Sequence, residues 1–153
     1  YGPWGRPDMA PIIFAKSISK KMPIKIFNYG EMKRDFTYID DIVEAIYRCC
    51  QKPATPDNLF DRYRPDPSIS DAPHRILNLG NSNPIGLMTF INQLEKELGI
   101  KAIKEYLPMQ KGDVEQTYAD TLALKKWINF HPKTSLKDGV EKFSIWFKNY
   151  YKI

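Results

Sequence analysis

Apolar residues recur at two different periods along this chain, and the alternation of these periods restricts its fold more than any other feature. A helix face is predicted by four apolar residues at helical spacing, Leu87, Ile91, Leu94 and Leu98. Gly99 is expected to end that helix. Short apolar runs typical of strands occupy 24–27 and 75–80. Because the connections are mostly short, the sequence predicts a mixed α/β fold in which residues 1–153 form one compact unit.

Polar residues mark the expected ends of three further helices. Asp41, with Glu44 three positions later as in a capping box, is predicted to cap a helix over 42–51. Asp120 and Ser135 are expected to begin the last two helices, although Thr134 is an equal candidate for the second of these starts. Five of the twelve prolines lie in a segment that is predicted to be a long surface loop, 53–75.

The composition excludes several classes of function. A net charge of +5 favours anionic partners without choosing among them, and no motif for binding nucleic acid is present. The apolar stretches are too short to span a bilayer and no signal peptide opens the chain, so no membrane association is expected. Cys49 and Cys50 are interpreted as buried free thiols, which favours a cytoplasmic location.

No catalytic, cofactor-binding or metal-ligating residue is predicted within this chain. Serine, histidine and acidic residues do not group locally as in a nucleophilic triad, and the glycines stand singly rather than in a phosphate-binding loop. His74 and His131 have no second ligand at metal-binding spacing. The sequence therefore predicts a chain that binds a ligand and performs no chemistry alone.

Two arginines are the strongest candidates for binding an anionic ligand. Arg6 lies between a glycine and a proline in an aromatic loop, where a guanidinium group can be held still for a carboxylate or phosphate. Arg34 begins an extended segment over 34–39 that follows a glycine turn. The alternatives are that Arg6 only stabilises its own loop, and that Arg34 pairs with Asp35 or another surface acid.

Five blocks of sequence together resemble a known family over residues 1 to about 150. They are YGPWGRPDM at 1–9, RDFTYIDDI at 34–42, NLGN at 78–81, QKGDVEQTYAD at 110–120 and PKTSL at 132–136. The resemblance is to nucleotide-sugar epimerases of the extended short-chain dehydrogenase/reductase type, and is strongest to those that act on UDP-glucuronate. It implies the C-terminal, substrate-binding part of such an enzyme, with elements that would complete a missing Rossmann domain.

The resemblance also implies roles for individual residues. Arg34 would hold the pyrophosphate, Asp113 would approach the ribose, and Arg6 would read the carboxylate of a uronic acid. Gln110 stands where relatives often carry arginine, so its contact with the phosphates is expected to be weaker. Five further residues would contact the nucleotide, Asp8 and Met9 through backbone groups and Lys25, Ile26 and Phe27 along the uracil.

The resemblance implies an NAD-dependent 4-epimerase that converts UDP-glucuronate to UDP-galacturonate in its complete form. The N-terminal dinucleotide-binding domain and the catalytic tyrosine–lysine pair are absent from this sequence. The isolated chain is therefore expected neither to bind NAD firmly nor to turn over substrate. The partners implied are a UDP-sugar and the missing Rossmann domain, against which the helix after Asp41 and the strand at 76–80 would pack. The resemblance also allows a homodimer of the complete enzyme.

Two alternatives to this interpretation remain. One is a fragment of a nucleotide-sugar dehydratase or of a decarboxylase acting on UDP-glucuronate, because these enzymes share the arginine signature that begins at Arg34. The other is a non-catalytic remnant that serves only for binding or interaction. Sequence upstream of this chain would distinguish the first alternative, and measurements of ligand binding would distinguish the second.

Overall fold

The computed structural model describes all 153 residues. The helices are α1 (Ala10–Ser19), α2 (Ile39–Gln51), α3 (Leu87–Leu98), α4 (Leu122–Ile128) and α5 (Leu136–Tyr151). The strands are β1 (Pro23–Ile26), β2 (Lys33–Arg34), β3 (Ile85–Gly86) and β4 (Ile103–Tyr106), and a 3₁₀ turn occupies Phe27–Gly30. The predicted mixed α/β class is confirmed.

The strands form two small separate sheets. β1 pairs in parallel with β4, from Pro23 opposite Ile103 to Ile26 opposite Tyr106. β2 pairs antiparallel with β3, with Lys33 opposite Gly86. The connection from β1 to β4 contains β2, α2, β3 and α3, since a parallel pair requires a crossover connection rather than a hairpin.

The main core lies between α1, α3, α5 and the β1–β4 sheet. The helical stripe predicted on α3 is confirmed, since Leu87, Ile91, Leu94 and Leu98 are all buried. Gly99 ends α3 in the left-handed conformation, at a φ of 72°, as predicted. Ser135 caps α5 by accepting a hydrogen bond from the Asp138 N–H, also as predicted.

A smaller apolar cluster joins α2 to α4 and leaves a groove on the surface. The groove has a volume of about 340 Å³. Its lining is entirely hydrophobic and comprises Ala45, Ile46, Cys49, Cys50, Leu77, Leu79 and Leu124. We refer to it as the α2 groove. Val43 and Tyr47, on the same helix, are also exposed, so α2 presents more apolar surface than its packing within this chain covers.

Three predictions about secondary structure are wrong. Residues 75–80 form no strand, because no neighbouring strand pairs with them, although Leu77 and Leu79 alternate with the exposed Ile76. The extended segment over 34–39 is a strand only at its first residue. Helix α2 begins at Ile39 rather than at 42, so Asp41 lies in its first turn and caps nothing there.

Asp41 nevertheless has a structural role, at long range. Its carboxylate accepts hydrogen bonds from the N–H groups of Lys133 and Thr134, at 3.3 and 3.0 Å. It therefore fastens α2 to the segment that leads into α5. Glu44 pairs with Arg48 one turn later instead of closing a capping box.

Two further observations bear on the sequence-based expectations. None of the helices combines the length and the apolar character needed to cross a bilayer. Both cysteines are free thiols, but only Cys49 is partly buried and Cys50 is exposed, so the prediction of two buried thiols is wrong for Cys50. Residues 53–75 contain neither a helix nor a strand, in agreement with the predicted loop.

Candidate functional site

A well-formed cavity lies where the opening loop, β1, β2 and the segment 107–117 meet. Its volume is about 480 Å³, within the range usual for small-molecule sites. Six residues proposed from the sequence line it, namely Arg6, Met9, Lys25, Phe27, Arg34 and Asp113. We refer to it as the main cavity. The fold thus brings together residues that are more than 100 positions apart in the chain.

Arg34 is placed in the main cavity by two strands and a loop. It ends β2, and the segment after β4 runs alongside, where the Lys33 N–H donates to the Glu115 carbonyl at 2.9 Å. The Arg34 guanidinium donates to the carbonyl oxygens of Lys33 and Glu115, at 3.0 and 3.2 Å. Because two backbone acceptors hold it and the side chain is partly buried, this guanidinium is fixed in orientation.

The ionic partner of Arg34 is Asp113, at 2.8 Å, and not Asp35. The sequence-based alternative was a pair with Asp35 or with another surface acid: the pair with Asp35 is wrong, but Arg34 does pair with another, partly exposed acid, Asp113. Asp113 also accepts the Val114 N–H at 2.9 Å, next to a turn at Gly112 whose φ is 84°. Arg34 and Asp113, which the sequence assigned to the same ligand, thus contact each other. A phosphate group entering the main cavity would compete with the Asp113 carboxylate for the Arg34 guanidinium.

Asp35 is a structural residue that the sequence analysis did not identify as such. Its carboxylate accepts the N–H groups of Ser82, Asn83 and Ala119, at 3.0, 3.3 and 3.3 Å. Gly80 lies so close that a Cβ there would come within 2.8 Å of the Asp35 carboxylate. Asp35 therefore ties β2 to two segments that are distant in the sequence. The only feature of the sequence that pointed to Asp35 was its position directly after Arg34.

An Asp35→Asn variant is expected to lose about 1–3 kcal/mol in free energy of unfolding. One carboxylate oxygen becomes an NH₂ group, which faces backbone donors instead of accepting from them. Urea denaturation measures the loss, and Asp40→Asn is the matched control, because Asp40 is exposed and has only a 3.7 Å contact with Lys142. Equal stability of the two variants would contradict the structural role of Asp35.

The opening loop presents Arg6 at the edge of the main cavity. The Arg6 guanidinium donates two hydrogen bonds to the carboxylate of Asp8, from Nε at 3.1 Å and from Nη2 at 2.5 Å. The hydrogen bond from Arg6 lowers the pKa of Asp8 below its usual range. Both side chains are mostly exposed, so this pair contributes little to stability and a ligand carboxylate can replace Asp8.

An apolar wall completes the main cavity. Phe27 and Phe36 line it, and Phe36 stacks on the buried Phe90 with ring centroids 4.6 Å apart. Ile26 does not line the cavity, because it points to the opposite face of β1 from Lys25 and is completely buried in the core. The Ile26 side chain therefore faces away from the main cavity, and the contact of Ile26 with the uracil remains a prediction.

Two other residues expected at the site lie beside the main cavity. Asp8 is in the opening loop but does not line the cavity wall. Gln110 is exposed and lines a shallow neighbouring depression with Lys111, Gly112 and Asp113. Since Asp113 borders both spaces, the depression adjoins the main cavity. The arrangement provides two guanidinium groups, one lysine and an aromatic wall, which can bind an anionic ligand with a flat ring.

Comparisons with known proteins identify proteins that this chain resembles. The family model described as "NAD dependent epimerase/dehydratase family" matches residues 1–61. Protein CapI of Staphylococcus aureus is 49% identical over 152 residues, which are 99% of this chain and 46% of that protein. A protein of Rhizobium meliloti described as "Probable UDP-glucuronate 4-epimerase" is 42% identical over 153 residues, 99% of this chain and 45% of that protein.

A solved structure extends the similarity to the fold. UDP-glucuronic acid 4-epimerase from Bacillus cereus, in complex with UDP-glucuronic acid and NAD, superimposes with a TM-score of 0.79 and 31% sequence identity. The match covers 99% of this chain and 43% of the other. The chain thus spans less than half the length of the relatives it matches. By sequence and by fold, this chain is similar to the C-terminal part of proteins of the NAD dependent epimerase/dehydratase family.

Proposed function

We propose that this chain is the nucleotide-sugar-binding part of a longer NAD-dependent 4-epimerase that converts UDP-glucuronate to UDP-galacturonate. The observation that carries the proposal is that Arg6 and Arg34 line one cavity together with an aromatic wall. A diphosphate requires one guanidinium group, and a uronate carboxylate requires another. Relatives whose names include UDP-glucuronate 4-epimerase support this assignment over alternatives with other substrates.

In this proposal the residues of the main cavity bind and orient the ligand. Arg34 holds the pyrophosphate, because its guanidinium is already aligned by two backbone carbonyls. Phe27 and Lys25 line the uracil, and Asp113 and Gln110 approach the ribose and phosphates from the neighbouring loop. Firm anchoring of the nucleotide serves chemistry at the sugar, since binding energy from remote groups can be used at the reacting centre.

The residues of this chain do not fit NAD. Gly86, which ends β3 directly before α3, and Gly112, between β4 and α4, each stand alone, whereas a dinucleotide pyrophosphate requires a glycine-rich turn between a strand and a helix. NAD would therefore be held by the part of the longer protein that this chain does not include. The redox chemistry that NAD supplies when bound belongs to that part, and this chain binds the substrate.

We further propose that the α2 groove packs against the N-terminal domain of the longer protein. The groove is lined entirely by hydrophobic residues, and the relatives are more than twice as long as this chain. Leu77 and Leu79, which belong to no strand in this chain, would gain a partner strand in that domain. A homodimer of the complete enzyme and a cytoplasmic location remain predictions, the second favoured by the two free thiols.

Calorimetry with the 153-residue chain tests the proposed function. We expect UDP and UDP-glucuronate to bind, and Arg6→Ala to weaken UDP-glucuronate about tenfold with little change for UDP or UDP-glucose, because it removes a charge-assisted contact to the carboxylate. Arg62→Ala is the matched control: the Arg62 side chain is 79% exposed and pairs with Asp71, as that of Arg6 is 74% exposed and pairs with Asp8.

Three outcomes would contradict parts of this proposal. No heat with either UDP or UDP-glucuronate would favour a non-catalytic remnant. An equal loss for UDP-glucose in Arg6→Ala would remove the assignment of Arg6 to the carboxylate. Stoichiometric NAD, or epimerisation by the isolated chain, would show that the chain does more than bind the substrate.

A further inference from the structure

The turn that precedes Arg6 has an unusual residue at its corner. The Gly5 N–H donates to the Gly2 carbonyl at 3.3 Å, so Pro3 and Trp4 are the central residues of a four-residue turn. Trp4 has a φ of 60°. A positive φ at the second central position, after proline at the first, is typical of a type II turn, in which glycine is strongly preferred. A bulky residue at this position is an outlier that its surroundings must stabilise.

The ring of Trp4 contacts two aromatic residues of α5. Its centroid lies 4.9 Å from that of Tyr150 in an edge-to-face arrangement and 5.6 Å from that of Trp146. Trp146 and Tyr150 stack on each other, with their ring planes 15° apart. Trp4 is 74% exposed, so it adds little to the core. Its packing serves instead to fasten the loop to the surface of α5.

The other end of the same turn is fastened to α2. The Ile39 N–H donates to the Tyr1 carbonyl at 2.9 Å, and Gly2 is buried so closely against Ile39 that a Cβ there would overlap its side chain. Arg6 follows two residues after Trp4, and its side chain hydrogen-bonds only to Asp8 on the same loop. Trp4 is therefore the last residue before Arg6 whose side chain packs against a helix.

We propose that Trp4 is a positioning residue, whose contact with Trp146 and Tyr150 holds the Arg6 guanidinium at the main cavity and so sets the preference for a ligand that carries a carboxylate. The inference rests on the proposed function through the role of Arg6. Neither core packing nor the turn explains a tryptophan at this position. The core does not include Trp4, and the turn would form more easily with glycine.

Ligand binding to the 153-residue chain tests this assignment. We expect Trp4→Ala to weaken UDP-glucuronate about fivefold to tenfold, the order that two aromatic contacts supply. The affinity for UDP is expected to change less than about twofold, because Arg34 is held independently. Tyr150→Ala, at a position that is 51% exposed, is expected to act in the same direction, and Trp4→Phe to retain most of the affinity. Tyr63→Ala, at an exposed aromatic residue outside the main cavity, is the control.

A double variant and an NMR measurement separate the inference from the proposed function. In an Arg6→Ala background, Trp4→Ala is expected to cause no further loss of UDP-glucuronate affinity. A further loss there, or an equal loss for UDP, would overturn the inference. If Arg6→Ala alone leaves UDP-glucuronate unaffected, the proposed role of Arg6 fails. Trp4 is then judged by the Nε–H signal of Arg6, which is expected to become more mobile in Trp4→Ala. Unchanged mobility would overturn the positioning role.

Discussion

Replacement of Arg34 by alanine is expected to weaken the binding of UDP by about a hundredfold, the largest effect of any single substitution in the main cavity. The Arg34 guanidinium is partly buried and fixed by the carbonyls of Lys33 and Glu115, so little side-chain entropy is lost when it binds a diphosphate. Titration calorimetry with UDP measures the loss directly, and it requires no turnover.

Two variants control this experiment. Arg34→Lys keeps the charge but loses the planar pair of donors, and we expect a loss of about tenfold. Arg48→Ala removes an arginine of α2 that pairs with Glu44 and does not line the main cavity, so the affinity for UDP is expected to remain unchanged. Melting temperatures are compared for all variants, because Arg34 also supports its neighbouring backbone. A folded Arg34→Ala chain that binds UDP within threefold of the parent would contradict the assignment.

Replacement of Glu95 by alanine is expected to reduce the free energy of unfolding by about 3 kcal/mol, the largest effect on stability that we predict. The Glu95 side chain is only 1% exposed. Its carboxylate accepts hydrogen bonds from Lys101 at 2.8 Å, from Lys104, and from the Ala102 N–H at 3.0 Å. The substitution leaves that N–H without its acceptor and deprives Lys104, at the edge of the core, of its carboxylate.

The pH dependence of this contribution follows from the pKa of Glu95. Burial alone would raise this pKa, but the hydrogen bonds from Lys101, Lys104 and Ala102 outweigh burial and lower it from 4.5 to about 2. A carboxyl group whose pKa is lowered by folding stabilises the protein above its unfolded pKa, and the contribution is lost as the pH falls through the folded value. The stabilisation is therefore complete above about pH 5 and disappears towards pH 2.

Chemical denaturation of Glu95→Gln and of the parent chain between pH 7 and pH 2 measures this effect. The difference in stability is expected to be largest at pH 7 and to shrink as the parent Glu95 becomes protonated. Glu97→Ala is the matched control on α3, since the Glu97 carboxylate accepts a hydrogen bond only from the side chain of Gln93. A difference between Glu95→Gln and the parent that stays constant across this range would contradict the ionised, hydrogen-bonded role of Glu95.

The features of the fold that depend on neighbouring residues could be predicted from the sequence. The apolar stripe of α3, its end at Gly99 and the cap at Ser135 are local patterns, and the structure confirms them. Asp41 was expected to cap α2 because its own neighbours favour a cap, but its carboxylate binds backbone groups more than 90 positions away. No local pattern could indicate those partners, nor could one indicate that 75–80 lacks a strand to pair with.

Some features of the candidate site could likewise be predicted from the sequence, and others could not. Arg6 and Arg34 were identified from their sequence blocks, and the fold places both at one cavity. The pairing of Arg34 with Asp113 and the three donors around Asp35 could not be predicted, because they join segments about 50 to 85 positions apart. Ile26 shows what a local pattern could add. Side chains alternate along a strand, so the side chains of Lys25 and Ile26 point to opposite faces of β1 and only that of Lys25 lines the main cavity.

The two cysteines give the α2 groove a property that is useful at the bench. They are the only thiols in the chain, and both belong to the lining of that groove. Cys50 is exposed, whereas burial raises the pKa of the Cys49 thiol and slows its reaction with alkylating reagents. A thiol-reactive fluorophore will therefore label Cys50 first. Its emission, and the labelling rate itself, can then report whether another protein surface covers the groove, without any engineered cysteine.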